Sequence, residues 1–236
     1  MGKDKIIDNR QDILLHYIGH RKRLKEKFLH SDTTTIQDYE LIELLLFNSF
    51  PRKDVKPLAK TLVNNFGSIR KLLTTDIHKI MTIKGINLSF CINLKIIQTI
   101  IFRALKEDII KQNILSSWGA LLDYLKFAMG NLEIEQFRVL FLNKQNILIS
   151  DEVVAEGTID QTPVYPREII KRALFHGAGA IILVHNHPGG NPKPSETDID
   201  MTDTLIESCK MLNINIHDHV IIASNKYFSF KDNMLI

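Results

Sequence analysis

Apolar residues recur along this chain with two different periods. Over the first ~110 residues they return every three or four positions, the spacing of an amphipathic helix. "HYIGHRKRLKEKFLH" reads as a basic helix with Leu24 and Phe28 on one side. "DYELIELLLFNSF" follows, with Asp38 expected as its cap and Pro51 as its stop. "DVKPLAKTLVNNFGS" ends at Gly67, a residue suited to the left-handed turn that closes a helix. "SIRKLLTT" and "DIHKIMTIKGINLSFCINLKIIQTIIFRALKEDII" continue the helical pattern.

From Gln112–Ser117 onward the pattern changes. "EQFRVLFLN", "NILISDEVVAEGT", "GAIILVHNH" and "NINIHDHVIIAS" are short runs rich in Val, Ile, Leu and Phe, as strands are. Between them lie three helix candidates, "SSWGALLDYLKFAMG", "YPREIIKRALFHG" and "SETDIDMTDTLIESCKMLN". Strands interleaved with helices predict an α/β layered domain. The chain is therefore expected to divide into a small all-α domain, residues 1–111, and an α/β domain, residues 112–236. No internal repeat interrupts either half.

Composition narrows the class. At 236 residues the chain is long enough for two cores, and its 44% apolar and 24% charged residues are those of a globular protein. No run approaches the ~18 consecutive apolar residues of a membrane span. The charged start "MGKDKIIDNRQD" lacks the apolar centre of a secretory signal, so a cytoplasmic protein is expected. Cys91 and Cys209 have no spacing that suggests a disulfide framework or a thiolate metal site. Net charge is +3, but residues 1–110 hold 19 Lys/Arg against 12 Asp/Glu, and the remainder 11 against 15. This asymmetry points the first half towards an anionic partner.

The densest chemistry lies in "ILVHNHPGGNPKPSETDIDMT". If "AIILVHNHP" is extended, His185 and His187 share one face and Asn186 takes the other. The Gly/Pro turn then leads into a helix start, with Ser195 as N-cap and Asp198 at the third helical position. Ile199, Leu205, Ile206, Cys209 and Leu212 supply its expected core stripe. Two imidazoles and a carboxylate are three ligands for a divalent metal, leaving a fourth position open, as catalytic zinc requires. Ser195 could hydrogen-bond the water there or a developing oxyanion. Taken alone, Ser-x-x-Asp is more often a helix cap than a site. The combination with His-x-His is what turns the reading towards a metal.

"HNHPGGNPKPSETD" resembles the JAMM (MPN-plus) motif of the RadC family, His-x-His-x7-Ser-x-x-Asp. "GTIDQTPVYPREIIKRAL" and "IHDHVIIA" resemble that family's flanking segments. "DYELIELLLF", "DVKPLAKTLVNNFGS" and "IKGINLSFCINL" resemble its amino-terminal region. The resemblance implies a JAB/MPN-like (cytidine-deaminase-like) mixed sheet flanked by helices, preceded by a small helical domain. It also implies Zn2+ held by His185, His187 and Asp198, with Ser195 beside the bound water. Other zinc patterns fit worse, since the chain has neither His-Glu-x-x-His nor the paired cysteines of zinc deaminases.

Hydrolysis by zinc-activated water also needs a general base. JAMM hydrolases take a glutamate from an early strand, for which Glu135 is the best match, on the same face as Phe137, Val139 and Phe141. Glu168, just inside a helix that starts at Pro166, and Glu156 are the rivals. Asp218 and His219 are expected on a central strand, as a satisfied core pair or in support of the ligands.

In the helical half, "TIKGINLSFCINL" resembles a helix-hairpin-helix turn, in which backbone N–H groups approach a phosphate. Lys84, Gly85 and Asn87 would make that contact, although Asn87 stands where a second glycine is usual. Lys22 and Arg23 lie in a basic run that is either a solvated face or a phosphate-neutralising one. The leading expectation is a metallopeptidase-type hydrolase acting on a peptide or isopeptide. A nucleic-acid-binding protein with a structural metal, in line with the family's "DNA repair" label, is the alternative, and a metal-bearing scaffold is a third.

Overall fold

The structure, a computed structural model, describes residues 19–110, 112–157 and 164–236. The charged start of the chain and the "TIDQTP" part of the family-like segment before Val164 lie outside the described residues. The described residues form two compact units that divide between Gln98 and Thr99.

The first unit is helical. Helix α1 is described over 19–30, followed by α2 (Asp38–Ser49), α3 (Lys56–Phe66), α4 (Ile69–Thr74) and α5 (Ile77–Met81). The long α6 (Leu88–Glu107) belongs to this unit as far as Gln98. Leu24, Ile42, Leu46, Leu62, Leu72, Ile80, Phe90 and Leu94 meet in one apolar core. Gly67 does close α3 at φ 72°, a conformation costly for any residue with a Cβ. Asp38 does not cap α2. Gln37 is the cap residue, its N–H bonded to Glu40 at 3.0 Å, and Asp38 is the first helical residue. There its charge still favours the helix through the macrodipole. Ser68 and Asp76 cap the two short helices by accepting from the N–H groups of Lys71 and His78. By length and composition α6 could cross a membrane, with mean hydropathy 1.5. Phe90, Cys91 and Leu94 on one of its faces are nevertheless buried among protein side chains.

The second unit is a five-stranded mixed sheet in the order β2-β1-β3-β4-β5, with helices on both faces. Its elements are α7 (Trp118–Met129), β1 (Gln136–Leu142), β2 (Leu148–Glu156), α8 (Pro166–His176), β3 (Ala180–Asn186), α9 (Glu196–Lys210), β4 (Asn215–Ala223) and β5 (Lys226–Ser229). β1 runs antiparallel to both β2 and β3, while β3 and β4 are parallel with α9 as their crossover. Alternation sorts the strands' side chains between two cores. Leu140, Leu142, Ile182, Val184, Val220 and Ile222 pack with α7. Phe137, Val139, Phe141, Ile181 and Leu183 pack with Ile169 and Ala173 of α8 and Leu205 and Cys209 of α9. β3 is buried along its whole length, as expected of a strand with neighbours on both edges and helices on both faces. The small β5 has no strong sequence signal and is made by the tight turn after Ala223, whose Ser224 sits at φ 56°.

The core stripe of α9 differs from the apolar pattern. Its buried positions are Asp198, Thr202, Leu205 and Cys209, and Leu212 is 44% exposed beyond the helix end. The first two turns bury polar side chains because they face the polar end of β3 and β4, where the candidate site lies.

Candidate metal centre

The carboxyl end of β3 and the amino end of α9 meet at one point, brought there by the tight "PGGNPKP" connection. His185 is 1% exposed and lies on the α9 face of the sheet; His187 follows just beyond the strand. Ser195 caps α9, and Asp198 at the third helical position is fully buried. The Nε2 atoms of His185 and His187 are 3.0 Å apart. Asp198 Oδ1 lies 3.1 Å from His185 Nε2, and Oδ2 lies 3.5 Å from His187 Nε2. The three donor atoms all fall within 4.8 Å of one another, a group that could hold a metal ion.

Hydrogen bonds behind the ligands decide where the protons are. Thr202 Oγ1 donates to the Asp198 carbonyl at 2.5 Å, so it must accept from His219 Nδ1 at 2.6 Å. Neutral His219 then offers its Nε2 lone pair to the Nδ1–H of His185, 2.8 Å away. That leaves the Nε2 lone pair of His185 aimed at the cluster. His219 suits this role because burial, and then the nearby His185, push its pKa well below the usual histidine value. His187 donates Nδ1–H to the Asn191 carbonyl at 2.9 Å, so its Nε2 lone pair also points inward. Two lone pairs facing each other repel unless a cation or proton sits between them.

Asp198 completes the set. Its Oδ2 accepts from the Ser195 N–H at 2.8 Å and the Ser195 hydroxyl at 2.7 Å, while its buried Oδ1 accepts no hydrogen bond. Burial draws this carboxyl's pKa upward, but His185, His187 and Ser195 outweigh it and hold the group far below the ordinary range. Asp198 in turn raises the pKa of His187 against its partial burial, with Asn191 and the charge of Glu135 adding to the pull. An orphaned oxygen beside two inward lone pairs is a donor set that fits a divalent cation.

Glu135 precedes β1 and lines a recess together with Phe137, Ala155, Gly157, Val164 and His185. Since Phe137 pairs with His185 across β1 and β3, the register carried two residues further sets Glu135 opposite His187. Glu156 lies at the end of β2, where its Oε1 accepts from Gln136 Nε2 at 2.8 Å. The Glu168 side chain is 43% exposed, beside Arg167 at 3.5 Å. Asp218 and His219 are both buried but do not form the core pair that the sequence suggested. A bulge opposite Ile181 and Ile182 skips His217, which sends His219 to the α9 face and Asp218 to the α7 face. Asp218 there accepts from the Ser229 hydroxyl and the N–H groups of His219 and Lys231. Thr202 was missed because a threonine one helical turn after Asp198 looks like an ordinary helix residue.

In the helical unit, Lys22, Arg23 and Lys84 are exposed, and Gly85 adopts φ 95°. The Asn87 side chain is used internally: its Nδ2 donates to the Ser49 carbonyl and its Oδ1 accepts from the Phe90 N–H.

The mixed sheet, its flanking helices and the His-His-Asp group define a JAB-like α/β domain carrying a candidate metal site. Comparison with known families agrees: residues 115–235 match the RadC-like JAB domain, and residues 16–90 match the UPF0758 N-terminal family. A UPF0758 protein of Ruegeria pomeroyi is 46% identical over 212 residues, covering 90% of this chain and 95% of that protein. The chain belongs to the RadC-like UPF0758 family.

Proposed function

We propose that the α/β domain is a zinc-dependent hydrolase of the JAMM type, cleaving amide or isopeptide bonds, with the helical residues as an accessory domain. The observation that carries this reading is the inward-facing donor set of His185, His187 and Asp198, with a carboxylate-lined recess beside it. Three nitrogen and oxygen donors suit Zn2+ and leave it one open position. A zinc ion bound there would polarise a substrate carbonyl and bring the pKa of a coordinated water to roughly 7. Glu135 is the proposed general base, taking the proton of the attacking water and passing it to the departing nitrogen. Its place in the recess with His185 favours it over Glu156, at the end of β2, and Glu168, at the start of α8 beside Arg167. Ser195 holds Asp198 in the orientation a ligand needs, through its N–H and its hydroxyl.

Protein purified without chelators is expected to carry one Zn2+ per chain, and His185→Ala to lose it. Glu135→Gln should keep the metal while hydrolysis of an isopeptide-linked fluorogenic peptide falls at least ~100-fold. Zinc-free wild-type protein, or hydrolysis that survives His185→Ala, overturns the reading.

A second reading assigns nucleic-acid binding to the helical unit and a structural role to the metal. It is supported by the exposed Lys22, Arg23 and Lys84 and by the basic balance of the first half. Gel shifts across a salt series test it, since phosphate neutralisation requires affinity to fall steeply with salt. Binding without a salt slope, or none at all, removes it.

A further inference from the structure

The middle residue of the His-Asn-His triplet has no part in the donor set, yet Asn186 is 1% exposed and fully engaged. Its main chain belongs to the parallel ladder with β4, opposite Ile222. Its side chain turns the other way, towards β1. Asn186 Oδ1 accepts from the Gln136 N–H at 2.8 Å, and Nδ2 donates to the Ile134 carbonyl at 3.0 Å. These peptide groups stand immediately after and before Glu135. The carbonyl of Glu135 itself accepts from the Gly157 N–H at 2.9 Å, where the chain leaves β2 at a φ of 130° open only to glycine.

Ordinary strand pairing does not reach this position. The β1–β3 ladder ends at Phe137 and His185, and beyond it the His187 N–H bonds to Ile222 on β4. The Asn186 side chain continues the tie, and it both accepts and donates at a fixed length. Asparagine does this; aspartate lacks the donor, serine falls short, and glutamine overshoots by a methylene.

We propose that Asn186 is a positioning residue that locks Glu135 to the strand carrying the metal ligands. This rests on the reading of Glu135 as general base. Because His185 and His187 are its sequence neighbours, base and ligands move as one body. A displacement of ~1 Å between them is enough to cost on the order of 100-fold in rate.

The test compares the wild type with Asn186→Ala, Asn186→Asp, Glu135→Gln and the Glu135→Gln/Asn186→Ala double variant. Four quantities are read: Zn2+ affinity, melting temperature, amide exchange at Gln136 by NMR, and kcat and KM on the isopeptide-linked peptide. Asn186→Ala should keep Zn2+ affinity and KM within about twofold, expose the Gln136 amide to faster exchange, and lower kcat ~10–100-fold. Asn186→Asp should keep the Gln136 amide protected and recover part of kcat. The double variant should be no slower than Glu135→Gln alone, because both changes remove one function. Wild-type kcat in Asn186→Ala overturns the proposal. So does a parallel loss of Zn2+ affinity, which would assign Asn186 to the ligands. A fully active Glu135→Gln instead sinks the general-base reading and the positioning role with it, so the two failures are distinguishable.

Discussion

His185 Nδ1 and His219 Nε2 lie 2.8 Å apart, on neighbouring parallel strands, and this bond fixes which nitrogen of His185 faces the candidate metal. The far nitrogen of His219 is held by Thr202, which is bonded to the backbone of Asp198. Two of the three candidate ligands are thereby coupled through a continuous chain of hydrogen bonds.

His219→Ala is therefore expected to weaken Zn2+ binding by ~10–100-fold without removing a ligand, the usual cost of losing an outer partner. Competition against a chromogenic chelator measures it. Affinity equal to the wild type would show that the tautomer is set by something else.

Metal removal should lower stability. The three donors converge only in the folded chain, so a cation at 100 times its dissociation constant adds about 2.7 kcal/mol. Dialysis against chelator should lower the melting temperature, and added Zn2+ should restore it. His185→Ala should melt at the same temperature with and without chelator.

On the α7 face, Arg138 contacts both carboxylate oxygens of Asp151, at 2.6 and 2.7 Å, and the Tyr124 hydroxyl donates to the same carboxylate. The Asp151 side chain is 1% exposed. Burial, then the Asp151 charge, push the Tyr124 pKa well above the usual phenol value, so it remains a donor at any physiological pH. Arg138→Leu strands a buried charge and should cost ~3–5 kcal/mol in urea unfolding. Tyr124→Phe removes only one bond to that charge, at ~1.5–3 kcal/mol.

Acid stability should depend on Glu152, which joins Arg172 at 2.7 Å and His176 at 2.5 Å. Burial raises its pKa, but these partners and Ser150 outweigh it and hold the carboxyl below its ordinary value. A folded value below the unfolded one, ~4.3, gives a contribution present above that pH and lost as pH falls through the folded value. Glu152→Gln should be less stable than wild type at neutral pH. The gap in urea midpoints should close below pH ~4. A gap independent of pH would assign the loss to packing.

Several parts of the centre could be seen in the chain. His185 and His187 sit two apart on a strand, and Ser195 and Asp198 three apart at a helix start, so local geometry alone gives each pair a common face. Capping chemistry likewise placed Ser195 and Gly67 correctly. Asp38 was misplaced by one position because Gln37, a weaker capping type, is held by Glu40. The α9 stripe was misread because apolar character was used as the sign of burial, whereas Asp198 and Thr202 are buried as polar groups with partners.

Helical and extended periods and the residues of the His-x-His and Ser-x-x-Asp segments were properties of the sequence alone, because each depends on neighbours within a few positions. Strand order and register were not. Whether His219 meets His185, whether Asp218 joins it, and which peptide groups Asn186 grips depend on a one-residue bulge at His217 and on β1 lying beside β3. Contacts between strands join residues far apart in the chain, and a shift of one residue sends a side chain to the opposite face.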